Sequence, residues 1–210
     1  MKILFSSWPG YGHLLPMIPL ARAAVRDGHQ VLVASGSDLI GLIDRHGLPA
    51  HAAGPTLAES YRAAAEANRA AGLTELFSQM DPQMQAMASA RNLFGASAVR
   101  RARDLVPLID QWRPDLVVHD TLELGGPSAA QRAGIPHATH SYGPLVPFTG
   151  IIAPVLGAAL AEAGLPDPIP GVFASTYLDL CPAGLQPGGT DPWTDVIAVR
   201  PSAGDVPVGE

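Results

Sequence analysis

Cysteine occurs once in this chain, at Cys181, which excludes an internal disulfide and a cysteine zinc cluster. Positive charge is also scarce. Lys and Arg together number 13 against 19 Asp and Glu, for a net charge of −6, and lysine is nearly absent beside arginine. A nucleic-acid partner calls for a basic face, so none is expected. No apolar run reaches the roughly 18 residues that span a bilayer, so no membrane span is expected. The first residues lack the basic start, apolar stretch and small-residue cleavage site of a secretory signal, and a cytoplasmic location is expected. H-E-x-x-H, paired-aspartate and G-x-S-x-G signatures are all missing. No metal site and no serine nucleophile are therefore expected.

What is present is globular. The 210 residues are 47% hydrophobic and 15% charged, enough chain for one sizeable core. Its organising stretch is the first, MKILFSSWPGYGHLLPMIPLARAAV. The apolar run at residues 2–6 suits a strand buried on both faces. A glycine turn follows, Trp8 to His13, and a helical pattern begins at about Leu14, with Leu15, Ile18, Ala21 and Val25 at helical spacing. Strand, tight turn and helix open a doubly wound α/β domain, in which ligands lie beyond the carboxyl ends of the strands. Gly10-Tyr11-Gly12 begins like the dinucleotide fingerprint, but Leu15 replaces its third glycine and Asp38 comes late for a ribose contact. No nicotinamide or flavin cofactor is expected.

Further short apolar runs predict strands near residues 30–35, 49–53, 115–119 and 136–140, with later ones at 177–181 and 196–199. Helical patterns cover 14–25, 38–46, 121–133 and 151–163, and 164–171 reads as loop. The whole of 1–210 reads as one mostly parallel, Rossmann-like sheet with helices on both faces. Residues 56–111 differ: they are alanine-rich and helical, broken at Gly72 and at Asp81-Pro82. A helical insertion this long suggests a binding lobe. Its Phe77, Met80, Met84 and Met87 are either packing filler or a pliable wall for a bulky apolar ligand.

His13 and Asp120 both fall just past strand ends, on the same rim. A neutral histidine whose second nitrogen is held by an acceptor can act as a general base. A carboxylate such as Asp120 can fix its tautomer and stabilise the charge formed on proton transfer. Two blander roles stand beside this one: His13 capping its turn and Asp120 capping the following helix. His119 points to the opposite face of its strand and reads as structural.

The opening K-I-L-F-S-S-x-P-G-Y-G-H-L-L-P-M-I-P-L-A, with the later D-L-V-V-H-D and D-L-C-P-A-G-L-Q, resembles the N-terminal half of an actinobacterial natural-product glycosyltransferase. These are inverting two-domain (GT-B) enzymes, of the UDP-glycosyltransferase-like family. The similarity runs across essentially all 210 residues, and G-H-x-x-P at Gly12 to Pro16 is its most specific part. The resemblance implies that the histidine matching His13 deprotonates an acceptor hydroxyl while the aspartate matching Asp120 orients it. It also implies that this half binds a small-molecule aglycone, a polyketide or similar. The nucleotide-sugar is a co-substrate bound mainly by a C-terminal domain outside these residues, so the chain alone is expected to transfer little sugar. An acceptor cleft is expected from Tyr11 and Gly12, from Phe77, Met80 and Met84 of the insertion, and from His140, Tyr142 and Phe148. The competing class is a non-catalytic module that captures an apolar metabolite or a partner protein.

Overall fold

The first strand is apolar on both faces because both faces are covered. In the computed structural model, which describes residues 1–70, 72, 79, 81–145, 149–186 and 193–202, β1 spans Lys2–Ser6. Ile3 and Phe5 pack with Leu14, Met17, Ile18 and Ile43 on one side. Leu4, between them, packs with Leu105, Ile109 and Ala129 on the other. The alternation follows from the two-residue period of a strand.

The other strands are β2 (Gln30–Ser35), β3 (Ala50–Ala52), β4 (Leu116–Asp120), β5 (His137–His140), β6 (Thr176–Asp179) and β7 (Val196–Ala198). They form one seven-stranded sheet in the order β3-β2-β1-β4-β5-β6-β7, every pairing parallel. The doubly wound α/β fold is as expected, and each strand lies within about two residues of its apolar run. Helices Ile18–Arg26 and Ile40–Arg45 cover one face; Pro82–Trp112 and Gly125–Arg132 cover the other.

The order turns at β1 and β4. From β1 the chain winds toward β2 and β3, and from β4 toward β5, β6 and β7, so the crevice between their carboxyl ends is the switch point of the sheet.

Three local features differ from the sequence pattern. The first helical run starts at Tyr11, and a 3-10 turn at Leu15–Met17 resets its phase. Leu14, Met17, Ile18, Ala21 and Ala24 are therefore the buried stripe, while Leu15 and Val25 are 41% and 42% exposed. The helix expected over 121–133 begins only at Gly125. Before it, the Asp120 and Glu123 carboxylates accept the amides of Leu122, Gly125 and Gly126, which makes a turn instead. The segment 164–171 is not all loop, since Ile169–Ala174 is helical. Asp167 accepts the Ile169 amide at 3.0 Å, and Pro170 sits in the first turn, where its missing N–H does no harm. Among its described residues the insertion holds the helix Leu57–Ala70 and a 31-residue helix, Pro82–Trp112, that continues through Pro107.

Among the described residues no helix is long and apolar enough to cross a membrane.

Candidate active site

Gly10 sets the geometry of the site. A Cβ there would stand 3.0 Å from the Trp8 ring and 3.1 Å from Cδ2 of His13, so a larger residue would push both rings by a few tenths of an ångström. Gly10 then accepts the amides of His13 and Leu14 at 3.0 Å each, which starts the helical run and projects His13 over the end of β1.

Asp120 ends β4, the neighbour of β1. Its Oδ1 lies 3.0 Å from His13 Nδ1 and also accepts the Leu122 amide at 2.9 Å. Its Oδ2 accepts the Trp8 amide at 2.6 Å. The carboxylate is fully buried, while 13% of the His13 side chain is exposed. Burial alone would raise the Asp120 carboxyl. The His13 charge and hydrogen bond, joined by the Trp8 and Leu122 amides, outweigh it and hold the group below its ordinary value. Asp120 therefore stays ionised. When Nδ1–H donates to it, Nε2 carries the lone pair, the arrangement of a general base. Besides holding His13, Asp120 closes its own turn through the Leu122 amide, while the helix that follows has Leu124 as its N-cap residue and no side-chain cap.

Aromatic rings pack around the imidazole. Trp8, Phe94 and Tyr142 lie with ring centroids 5.0, 5.8 and 4.5 Å from it. Trp8 is pinned in turn by an Nε1–H bond to Ser97 Oγ at 3.3 Å. Burial and the Asp120 charge push the Tyr142 phenol well up, so it is a neutral wall. Tyr11, Gly12, Leu15, Pro16, Arg22 and Tyr142 lie on the wall of a cavity of about 830 Å³, large enough for a polycyclic small molecule.

The expected site residues divide as follows. His13 and Asp120 are in contact, and Tyr11, Gly12 and Tyr142 share that cavity wall. His140, opposite Asp120 in the sheet register, is 1% exposed, and burial pushes its ring down to about 4. It stands as a neutral ring behind the dyad, without an exposed face for an acceptor. Phe77, Met80 and Phe148 lie outside the described residues. Met84 falls on the helix Pro82–Trp112, with its side chain outside them.

Trp8, Ser97, Arg101 and Glu123 also belong to the site, and none was singled out from the sequence. Arg101 had one signal. It shares a helical stripe with Phe94, Ala98, Leu105 and Ile109, all buried, so it is a charged residue on a core-facing stripe. Among the described residues no group of three His, Cys, Asp or Glu is placed to hold a metal.

Comparison with known proteins agrees with this architecture. The chain is 34% identical over 194 residues to L-demethylnoviosyl transferase of Streptomyces niveus, covering 89% of this chain and 46% of that protein. It is 31% identical over 164 residues to aclacinomycin-T 2-deoxy-L-fucose transferase of Streptomyces galilaeus, covering 68% and 37%. The chain thus spans less than half the length of these relatives. The glycosyltransferase SsfS6 of Streptomyces sp. SF2575, solved with thymidine diphosphate, superposes with a TM-score of 0.70 at 25% identity, over 90% of this chain and 51% of that one. Residues 22–188 match the family described as "Erythromycin biosynthesis protein CIII-like, N-terminal domain". The chain belongs to that family, and its parallel sheet is the N-terminal part of a GT-B glycosyltransferase fold.

Proposed function

We propose that this chain is the acceptor-binding half of an inverting glycosyltransferase that acts on a hydroxyl of a natural-product aglycone, with His13 as general base and Asp120 as its orienter. The observation that carries the reading is the 3.0 Å contact of His13 Nδ1 with buried Asp120 at the switch point, beside an apolar cavity. In the reaction, His13 Nε2 takes the acceptor proton while that oxygen attacks the anomeric carbon of a nucleoside-diphosphate sugar. The nucleoside diphosphate leaves from the opposite face, and the configuration inverts. Asp120 lowers the energy of the imidazolium formed on the way. Proton removal of this kind contributes about 10²–10⁴-fold, and the remaining acceleration comes from holding two substrates in register.

On this reading the donor site lies in the part of the relatives' length that these 210 residues do not span. The chain alone should therefore form no glycoside. Mixing it with a donor-binding half from a relative, thymidine diphosphate sugars and polyketide aglycones should give product that His13→Ala abolishes. Undiminished product from His13→Ala would refute the base. Robust product from 1–210 alone would refute the division between halves.

A further inference from the structure

Behind the His13–Asp120 contact lies a second pair of buried charges that the proposed chemistry does not use. Arg101 and Glu123 are each 1% exposed, with Arg101 Nε 3.5 Å from Glu123 Oε1. Arg101 Nη1 donates to the Ser7 carbonyl at 2.7 Å, while Nη2 is buried with no hydrogen-bond partner among the described residues. The guanidinium fits only because residue 54 is glycine, where a Cβ would stand 2.9 Å from Arg101 Cζ. A buried ion pair is a poor stability device, since apolar residues of similar volume often serve as well. An unpaired buried donor makes it poorer.

What the pair does is mechanical, and it works on both loops of the dyad. On the β1 side, Arg101 holds the carbonyl of Ser7, whose hydroxyl donates to the Trp8 carbonyl at 2.9 Å. The Trp8 amide is the 2.6 Å donor to Asp120 Oδ2, and the Trp8 ring packs on His13. On the β4 side, the Glu123 carboxylate accepts the Gly125 amide at 2.8 Å and the Gly126 amide at 2.9 Å. The Glu123 amide donates to the Asp120 carbonyl at 3.1 Å. One guanidinium thus joins the loop that carries His13 to the turn that carries Asp120.

We infer that Arg101 is a positioning residue for the dyad: by binding the Ser7 carbonyl and the Glu123 carboxylate together, it keeps the Trp8 amide on Asp120 and Asp120 against His13 Nδ1. Its kinetic consequence rests on His13 being the base; its geometric consequence does not.

The test is proton NMR of the His13 Nδ1–H in the 210-residue chain, assigned by its loss in His13→Gln. Two variants are compared with the wild type. Arg101→Met with Glu123→Gln removes both charges at similar volume. Arg101→Lys keeps the charge but not the fork that reaches both partners. Both should unfold cooperatively near the wild-type temperature, yet the Nδ1–H resonance should move upfield or be lost to exchange, more so in the double variant. In an assembled transferase, kcat should fall roughly ten- to a hundredfold with the acceptor KM unchanged. A wild-type resonance and kcat in both variants would overturn the proposal. Should the double variant fail to fold, Arg101→Lys decides alone, by the same resonance. A shifted resonance together with undiminished product from His13→Ala would refute the base and leave the positioning intact.

Discussion

His13 Nδ1 and Asp120 Oδ1 meet at 3.0 Å across 107 residues of chain. Two neighbouring parallel strands bring them together: β1 and β4 run in register from Ile3 opposite Leu116 to Ser6 opposite His119, Asp120 follows directly, and the turn at Gly10 carries His13 back over the end of β1. The pairing of the two strands and the turn at Gly10 together make the dyad.

Groups that act as a unit lose function together. In an assembled transferase, His13→Ala and Asp120→Asn should each lower kcat by about 10²–10⁴-fold, and the double variant should be little worse than His13→Ala. Multiplying effects would mean that the residues act separately. Acceptor affinity, measured by titration, should barely change in any of the three.

Asp120→Asn also has a structural consequence. Three donors converge on the carboxylate: the amides of Trp8 and Leu122, and His13 Nδ1. An asparagine turns one acceptor into a donor, so one contact becomes donor against donor. Unfolding by urea should show a loss of about 1–3 kcal/mol with the secondary structure kept. An unchanged midpoint would mean that the amides have other acceptors.

Stability should fall as the pH drops below neutrality. Burial, with the charge of His137, pushes His119 down to about 3, and burial pushes His140 down to about 4; both start from 6.5. Between 6.5 and those values the unfolded chain binds protons that the folded chain refuses, so stability rises with pH and is lost on acidification. Glu123 works the other way. Burial and the Asp120 charge raise its carboxyl against the pull of Arg101, so its protonation favours the folded state in acid. Asp120, held low, withdraws its contribution only below the ordinary carboxylate range. His46 and His137 are also pushed down by burial, so four histidines against one raised carboxylate should leave a lower urea midpoint at about pH 5 than at about pH 7.5. His119→Asn should flatten that slope. Equal midpoints would contradict the burial of these rings as neutral groups.

Gly12 offers a way to separate binding from folding. A Cβ there meets nothing within 4 Å, yet the residue lies on the wall of the 830 Å³ cavity. Gly12→Ala should raise stability by up to about 1 kcal/mol, since alanine loses less backbone freedom in a helical turn. Gly12→Trp should fold normally and weaken acceptor binding by about tenfold or more, a loss of about 1.4 kcal/mol. Unaltered acceptor affinity in Gly12→Trp, read by fluorescence titration, would place the aglycone elsewhere.

The sequence by itself determined the strands and their parallel arrangement. Runs such as residues 3–5 and 116–118 are apolar at every position, which a strand tolerates only when helices cover both faces. It also put His13 and Asp120 on one rim, since strand polarity fixes which end each follows. It was less informative where side chains rewrite the backbone. The carboxylates of Asp120 and Glu123 took the amides that a helix over 121–124 would have used, and the 3-10 turn after Leu14 rotated the buried stripe by one residue. The distance between His13 and Asp120, the neutral burial of His140 and the Arg101–Glu123 pair were decided by the tertiary structure alone. Periodicity reports which face of an element is covered. Which group stands across that face depends on how helix Pro82–Trp112 docks on β1 and β4, and docking is set by the summed packing of residues far apart in the chain.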